Sequence, residues 1–580
     1  MRLAITWLLA ALLLAARQTQ GNVKAVFAHF MVGNTGSYTV ADWQDDMSQA
    51  QAAHNDGFVL NMARGEATNG ASLANAFTAA GNLGSTFKLL FSFDYAGNGL
   101  WAKGDVIALI NQYSSNAAYY KRGSKPLVST FEGPAASADW PDIKAATGCF
   151  FMPSWSSLGA GPAWAKGTAD GLFSWAAWPD GPSSMSTFTD HSYTDALGGA
   201  PYMMPVSPWF YTNMPGFRKN WLWRGDSLWF DRWVHVMTLQ PDYVDIISWN
   251  DYGECHHIGP LRSNAYVAFD SAHGRAPFNY ALGKNHDGWR TFLPFLIGMA
   301  KANTTSFSSE NVVAWYREHP NAACGTGGTT GNTASQLQQV YSPALLAQDK
   351  VFYAALLGSS AAVSVSIGGQ AIAGTWTVTP GPSGGVGLYR GSVDTGGRTG
   401  AVVVTISRSG APILSASGDA ITASCTNAIE NWNANVIVGT PRSIAAVSPL
   451  SLASSVCTSG FGDAKYLDLC SFACKYGYCP SVCTCTSLGA AIAKPTALNV
   501  NGCPAAGMDS TYLGLCSFGC NYGYCPASVC QVYPAGHVCT APNPVTPPIP
   551  VCVAGMADGV YSDLCSFSCY YGFCPPEVCT

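Results

Sequence analysis

The sequence predicts an α/β protein: a (β/α)8, TIM-like barrel, then an all-β sandwich accessory domain, then three small disulfide-rich repeats. Three observations support this prediction. Eight apolar, β-type runs alternate with mostly helical segments between residues 25 and 254, which is the order a barrel requires. From about residue 345, short alternating strands are separated by Gly- and Pro-rich turns, as in a sandwich. After residue 456, cysteines recur at regular spacing, which is typical of small exported modules.

The first twenty residues have the composition of a secretory signal peptide. Arg2 precedes an apolar stretch over residues 3–16, and the small residues Ala15 and Ala16 at the end of this stretch precede a polar segment. The apolar stretch is shorter than the about 20 residues that a membrane span needs. We therefore expect a secreted protein of the extracellular space or cell wall, with no membrane association.

The composition excludes some classes of partner. Only 11% of residues are charged, 12% are aromatic and the net charge is −5. Without a basic run, nucleic acid is not an expected partner. Few charges and many Trp and Tyr residues favour a neutral polymer as substrate. We expect a monomer that needs neither a cofactor nor a metal ion.

The barrel is predicted over residues 21–340, including its C-terminal helices. Its eight strands are 25–30, 58–62, 87–94, 126–132, 149–152, 172–176, 202–206 and 244–249. The predicted helices are 39–54, 72–80, 105–113, 227–239, 288–302 and 308–318. The first helix opens with Thr39-Val-Ala-Asp42, which has the form of a capping box.

Polar and aromatic residues follow nearly every predicted strand. In a barrel of this kind the strand C-termini carry the active site. The residues at these positions are His29, Asn61, Arg64, Glu66, Asp94, Glu132, Trp155, Trp178, Trp209, Asp251 and Glu254. We therefore expect the functional site at this end of the barrel.

The eighth run ends in Asn250-Asp251-Tyr252-Gly253-Glu254. Gly253 in third position suits a β-turn over residues 251–254, which brings the ends of the turn within about 7 Å. Asp251 and Glu254 would then lie close together, and paired carboxylates hydrolyse glycosidic bonds. The alternative interpretation is a solvated acidic turn.

The sandwich is predicted over residues 341–450, with strands near 361–367, 376–379, 387–390, 401–406 and 435–438. The cysteine-rich modules follow at 457–485, 503–539 and 552–580. Units this small need disulfides because they bury too little core. Zinc binding by the cysteines is the less favoured alternative. A Pro-rich spacer, 541–550, precedes the third module.

Segment 23–300 resembles the fungal α-1,3-glucanases (mutanases) of glycoside hydrolase family 71. The resemblance rests on three blocks: Ala28-His-Phe-Met-Val-Gly33, Phe91-Ser-Phe-Asp94, and Ser248-Trp-Asn-Asp-Tyr-Gly-Glu254 with His256 and Ile258-Gly-Pro260. Cys255 and His257 stand where we expect Ser and Tyr in the family. The modules resemble small domains of fungal wall-degrading enzymes, some of which bind α-1,3-glucan.

The resemblance implies endo-type hydrolysis of α-1,3-glucan with inversion of configuration. Inversion needs a protonated carboxyl and a water-activating carboxylate roughly 6.5–9.5 Å apart. Glu254 is predicted as the general acid and Asp251 as the general base. Because two turn ends lie close together, Asp94 at the end of the third strand remains an alternative partner.

The other candidate residues each have a structural alternative. We predict substrate contacts for His29, Glu132, Trp155, Trp178, Trp209, Trp249, Tyr252 and His256. A core histidine, an ion pair and core packing are the alternatives for His29, Glu132 and the tryptophans, respectively. In the modules, the repeated rings able to stack on sugar are Tyr476, Tyr478, Tyr522, Tyr524, Tyr571 and Phe573, and the alternative is that they pack against the disulfides. Asn303-Thr-Thr305 is a glycosylation sequon.

Two classes of function are compatible with the sequence. The first is a secreted α-1,3-glucan hydrolase whose tail holds it on insoluble substrate. The second is a non-catalytic wall-binding or structural protein that uses the barrel as a binding groove. Intact Asp94, Asp251 and Glu254 favour the first.

Overall fold

The computed structural model describes residues 23–270, 272–336, 338–381, 384–464, 466–480, 482–508 and 512–539. Within them the chain forms two compact units, one of residues 23–459 with 484–492, the other of 460–483 with 493–539. The predicted signal peptide, the Pro-rich spacer and the third module lie outside the described residues. Of the helices described, none has the length and apolar character needed to cross a membrane.

The curled sheet of the first unit has eight parallel strands and one short antiparallel edge strand, Lys121–Arg122. Each parallel strand contains residues of one predicted run. They are β1 Ala25–Met31, β2 Gly57–Ala63, β3 Lys88–Asp94, β4 Lys125–Phe131, β5 Phe150–Ser154, β6 Leu172–Phe173, β7 Tyr202–Val206 and β8 Tyr243–Ile246. Their order is β5-β4-β3-β2-β1-β8-β7-β6. The two end strands approach each other where Asp170 N–H donates to Phe151 O over 2.8 Å.

Helices connect most of these strands. They are α1 Val40–Ala52, α2 Asn69–Asn82, α3 Lys103–Tyr113, α4 Trp140–Thr147, α5 Ala160–Trp164, α6 Phe188–Leu197 and α7 Leu228–Leu239. The predicted capping box is confirmed: Thr39 accepts from Asp42 N–H, and the Asp42 carboxylate accepts from Thr39 N–H. Such reciprocal bonds satisfy N–H groups that have no partner within the helix.

A short hairpin lies outside the parallel sheet. Tyr211–Met214 pairs antiparallel with Lys219–Leu222, and Thr330–Gly331 adds to its edge. The hairpin contacts the segment after β8, since Tyr211 N–H donates to Glu254 O over 3.1 Å. It therefore brings residues remote in sequence to the end of β8.

The segment after the parallel sheet differs from the prediction. One predicted helix is present as a 3-10 turn, Asp287–Arg290, followed by α8 Leu293–Ala302. The predicted helix over 308–318 is wrong, because residues Phe307–Tyr316 form strand β9. A short helix, α9, spans Pro343–Leu346.

Strand β9 belongs to a pair of antiparallel sheets. The further strands are β10 Lys350–Leu357, β11 Ala362–Ile367, β12 Gln370–Ala373, β13 Trp376–Val378, β14 Gly387–Asp394, β15 Gly400–Arg408, β16 Ala411–Ile421, β17 Asn435–Val438 and β18 Arg442–Val447. One sheet has the order β13-β14-β10-β9-β17 with β18 also on β9, and the other has β12-β11-β15-β16. Each of the five predicted strands of this region overlaps an observed one.

Strand β9 was missed because both of its faces are buried. Val313 and Trp315 pack in the same core as the parallel sheet, whereas Val312, Ala314 and Tyr316 pack between the antiparallel sheets. Strand β10 divides its residues between the same two cores. A strand buried on both sides shows a continuous apolar run instead of polar alternation, so periodicity does not distinguish it from a buried helix.

The two cysteine-rich modules within the described residues share one disulfide pattern. In the first module, Cys470 pairs with Cys483 and Cys474 with Cys479, and the second module repeats this as Cys516–Cys530 and Cys520–Cys525. Cys485 and Cys539, which fall outside the sequence repeat, pair with the first cysteine of their modules, Cys457 and Cys503. In the first unit Cys324 pairs with Cys425. Among the cysteines described, Cys149 and Cys255 are free.

The elements of these two modules are β19 Val456–Gly462, α10 Leu467–Lys475, β20 Cys483–Gly489, β21 Val500–Pro504, α11 Leu513–Asn521 and β22 Cys530–Pro534. Within the second unit, repeated rings contact one another. Tyr466 stacks on Tyr512, Phe472 on Tyr524 and Tyr478 on Phe518. Each module thus offers equivalent aromatic positions to the other. Tyr478 and Tyr524, two rings predicted to bind sugar, therefore pack within the protein.

Candidate active site

The segment after β8 folds back on itself and presents its acidic residues at the tip. Ser248 N–H donates to His256 O at 3.0 Å, and Ile258 N–H donates to Ser248 O at 2.9 Å. Trp249 N–H donates to His29 O on β1 at 2.7 Å. These bonds fix both ends of the loop that carries Asp251 and Glu254.

The turn inside this loop lies one residue later than predicted. Cys255 N–H donates to Tyr252 O, and Cys255 has a left-handed φ of 56°. Asp251 instead receives the Glu254 N–H on its side-chain Oδ1 at 3.1 Å. The carboxylate of Asp251 is thereby held beside Glu254, as the sequence predicted, but through a side-chain bond.

Glu254 is held by two donors at once. Its Oε1 accepts from Lys219 Nζ at 2.7 Å, and its Oε2 lies 2.9 Å from His256 Nε2. Lys219 comes from the hairpin outside the parallel sheet. The sequence offered no signal for this residue, because the contact joins positions 35 residues apart without any spacing motif.

His256 connects Glu254 to the backbone of Asp251. The His256 Nδ1 lies 2.8 Å from Ser248 Oγ, and Ser248 Oγ accepts from Asp251 N–H at 3.0 Å. If the single hydroxyl proton of Ser248 is donated to Nδ1, the histidine proton is on Nε2 and is donated to Glu254. The hydrogen bonds are then consistent with an ionised Glu254.

The electrostatic environments of the two carboxyls differ. Burial alone would raise the pKa of Glu254, but Lys219 and His256 outweigh it and hold that pKa well below its usual range. Burial, and then the Glu254 charge, raises the pKa of Asp251. Across the described residues, no donor is hydrogen-bonded to Asp251 Oδ2. Of the two groups, Asp251 retains a proton more readily.

Asp94 completes a group of three carboxylates around Lys219. The Glu254 charge first, then Asp251 and Asp94, raise the pKa of Lys219. Asp94 is held at the end of β3 by Ala96 N–H and Gly97 N–H, which donate to its Oδ1 at 2.8 and 2.9 Å. Burial raises the pKa of Asp94. The structure therefore brings Asp94, Asp251 and Glu254 to one end of the sheet, as predicted.

Glu66 lies beside Asp94. Burial, and then the Asp94 charge, raises the pKa of Glu66, and its buried Oε2 has no hydrogen-bond partner in the described part of the chain. A Cβ at Gly33 would lie 2.8 Å from this oxygen. The glycine of the first sequence block therefore leaves room for the carboxyl of Glu66.

His29 is a core histidine, which was the alternative interpretation of this residue in the sequence. Its side chain is fully buried, with Nδ1 2.8 Å from Asp245 Oδ2 and Nε2 3.0 Å from Asn61 Nδ2. Its ring lies edge-on to Trp175. The predicted substrate contact is thus corrected: both ring nitrogens already have protein partners.

Three predicted tryptophan platforms and Tyr252 are also buried. Trp155 and Trp249 are completely buried and Trp209 is 5% exposed. Trp209 Nε1 donates to Trp432 O, and the Tyr252 hydroxyl donates to Pro260 O. Rings whose faces contact protein do not stack on sugar, so these are core residues, and the predicted substrate contacts are corrected.

Trp178 and Glu132 are accessible. Trp178 is half-buried, donates its Nε1–H to Trp209 O and lies 5.6 Å from the His256 ring. Glu132 accepts from Ser157 N–H at 3.0 Å and from the Ser157 hydroxyl at 2.5 Å. Trp178 therefore lies beside the Glu254–His256 pair, whereas both oxygens of Glu132 bind a serine.

The same group has ligand types that suit a metal ion. One ligand atom each of Asp251, Glu254 and His256 lie within 4.8 Å of one another. The Lys219 ammonium already contacts Glu254, so a cation bound there would compete with it. Lys219 supplies the positive charge at this position.

The predicted glycosylation residue Asn303 follows α8 with a left-handed φ of 61°. Its carbonyl accepts from Leu452 N–H and the Ser451 hydroxyl. The side chain is half-buried. Glycan attachment stays a prediction.

Comparison with known proteins relates most of the chain to one family. The profile of Glycosyl hydrolase family 71 matches residues 22–448. A mutanase of Penicillium rubens is 34% identical over 438 residues, covering 73% of this chain and 90% of the relative. A glucan endo-1,3-alpha-glucosidase of Schizosaccharomyces pombe is 33% identical over 365 residues, covering 60% of this chain and 80% of the relative.

Solved structures give a weaker likeness. A GH99 endo-alpha-mannosidase from Bacteroides thetaiotaomicron aligns with 12% identity and a TM-score of 0.34 over 46% of this chain and 80% of its own. At that score the likeness carries no weight for the fold.

Proposed function

The chain belongs to glycosyl hydrolase family 71, and from this premise we propose that it is a secreted enzyme that hydrolyses α-1,3-glucan internally, with inversion of configuration. The names of the relatives, mutanase and glucan endo-1,3-alpha-glucosidase, support the proposal that the α-1,3 bond is cleaved and that α-1,3-glucan is the substrate. The observation that carries the proposal is the pair Asp251 and Glu254, placed side by side after β8 in opposite electrostatic environments.

We infer that the curled parallel sheet works as the closed (β/α)8 barrel predicted from sequence, with the antiparallel sheets as its sandwich. The strand order and the bond between the β5 and β6 segments support closure. In such a barrel the carboxyl ends of β3 and β8 face one opening. Asp94 and the Asp251–Glu254 pair then flank one substrate groove.

The geometry bears on which carboxylate activates water. Inversion needs about 6.5–9.5 Å between acid and base, to admit water and the sugar. One oxygen of Asp251 and one of Glu254 lie within 4.8 Å of each other, which is shorter than this separation and nearer the about 5–5.5 Å of retaining enzymes. We therefore assign water activation to Asp94 and proton donation to the Asp251–Glu254 pair. A raised pKa suits Asp94 to this task, because it makes the carboxylate a better base.

The stereochemistry of the first product tests this function. We expect soluble α-1,3-linked oligosaccharides to release the β-anomer first, before mutarotation, as followed by anomer-resolved NMR. Mid-chain cleavage should yield oligosaccharides of mixed length. Initial release of the α-anomer would contradict inversion and support a retaining reaction at the close Asp251–Glu254 pair. Lack of hydrolysis would contradict the enzyme assignment as a whole.

The tail is proposed to hold the enzyme on insoluble polymer. A chain ending after residue 450 keeps all the strands β1–β18, so we expect it to cleave soluble oligosaccharides at the full-length rate. In sedimentation assays it should bind insoluble α-1,3-glucan at least about tenfold less, because linked modules multiply weak affinities. Equal binding by both chains would mean that the tail is not the anchor.

A further inference from the structure

Lys219 is fixed to the carboxylate loop by the hairpin that carries it. Lys219 is paired with Met214 across that hairpin. The neighbouring Asn220 is anchored by its own amide, which donates to Gly327 O, and by the Thr329 hydroxyl, which donates to Asn220 Oδ1. The backbone of Lys219 is therefore held in place independently of its ion pair.

The ammonium group faces charges from several elements. Its direct partner is Glu254 at 2.7 Å. Asp251 of the same loop and Asp94 at the end of β3 act on it from further away. His256 is bound to the other oxygen of Glu254. Lys219 lies among three carboxylates but is bonded directly to only one of them. It therefore stabilises the ionised form of that one more than the ionised forms of the other two.

We propose that Lys219 is a positioning residue that determines which carboxyl of the pair carries the proton: it holds Glu254 ionised, so that the proton is on Asp251. This inference rests on the proposed hydrolysis. It reverses the roles predicted from sequence, where Glu254 was the acid. Glu254 becomes the fixed anion of the site, and its charge in turn keeps Asp251 protonated.

The reaction balances with these roles. As the bond between C1 and the glycosidic oxygen breaks, Asp251 donates its proton to that oxygen and becomes a carboxylate. Water attacks C1 from the opposite face and gives its proton to Asp94. One C–O bond breaks and one forms. Solvent then returns a proton to Asp251 and removes one from Asp94.

The pH dependence of kcat tests the role of Lys219. Because Lys219 holds the pKa of Glu254 well below its usual range, the acidic limb of the wild type is set by Asp94, whose pKa is raised by burial. In Lys219→Met the pKa of Glu254 rises, and the pKa of Asp94 rises with it because Lys219 also lowers the latter, so both carboxylates take up a proton at higher pH. We expect the acidic limb of kcat on soluble α-1,3-oligosaccharides to move up by at least about one pH unit, and kcat at the optimum to fall about 10²-fold.

Two further variants separate this role from a structural one. Lys219→Arg keeps the charge and should keep the wild-type acidic limb, even with reduced kcat. Lys144→Met is the matched control, since Lys144 makes a 2.7 Å ion pair with Asp170 and is likewise partly exposed. It should leave the pH profile unchanged.

An unshifted acidic limb in Lys219→Met, or an Arg variant that shifts as far as the Met variant, would overturn the proposal while leaving the hydrolase function intact. A wild-type protein without hydrolysis would instead remove the function on which the proposal rests. Far-UV circular dichroism of each variant confirms folding before the rates are compared.

Discussion

Glu254→Gln is expected to abolish the release of reducing sugar from α-1,3-glucan while leaving binding to the polymer intact. The amide has nearly the same shape but no charge. Lys219 is bonded to Glu254 at 2.7 Å in the wild type. In the variant, Asp251 is the one carboxyl of the pair that remains, and the Lys219 charge keeps it ionised. The donor proton is lost, so kcat should fall by roughly 10²–10⁴, the usual contribution of general acid catalysis.

Substitutions of the other two carboxylates, compared with Glu254→Gln, separate the roles of the three groups. Asp251→Asn should lose polymer hydrolysis yet still cleave an α-1,3-oligosaccharide with an activated phenol leaving group, which needs no proton. Asp94→Asn should be rescued by azide, a nucleophile that needs no base. Asp142→Asn, at an exposed surface position, is the control and should behave as wild type. Full activity of Glu254→Gln would remove Glu254 from the mechanism.

Asp190→Ala is expected to lower the free energy of unfolding more than any other substitution proposed for this protein. Asp190 on α6 makes a two-bond contact with Arg232 on α7, and the Arg232 side chain is completely buried. Arg232 also donates to Pro205 O on β7. Removing the carboxylate leaves an uncompensated buried charge, which costs about 3–5 kcal/mol.

Urea unfolding followed by tryptophan fluorescence measures this effect. The matched control is Asp142→Ala, which breaks an exposed pair with Lys103 and should leave the free energy of unfolding nearly unchanged, because solvent screens such pairs. If both variants unfold at the wild-type urea concentration, the Asp190–Arg232 pair does not hold α6 and α7 together.

Elements with a regular apolar pattern were predictable from the sequence. The parallel strands were found because each is a short apolar run between polar segments, and the α1 start because Thr39 and Asp42 form a capping box. Strands β9 and β10 were not, because each packs against two cores. That arrangement depends on which layers meet, and no local pattern encodes it.

The candidate site divides in the same way. Asp94, Asp251 and Glu254 were found because strand ends and turns bring them to one place. The burial of His29, Trp155 and Trp249 was not predictable, since an aromatic ring at a strand end has the same sequence pattern whether it faces a groove or the core. Only the packed structure shows their protein partners.

The sequence by itself thus determined where the parallel strands lie along the chain, the cysteine-rich tail and the loop that carries Asp251 and Glu254, because each depends on residues near one another in the chain. Only the tertiary structure shows which groups control the protonation of Asp251 and Glu254 in that loop. Lys219 reaches Glu254 from a separate hairpin, and His256 connects Glu254 to Ser248. A carboxyl's protonation depends on the charges that folding brings near it, and those charges come from different elements of the chain.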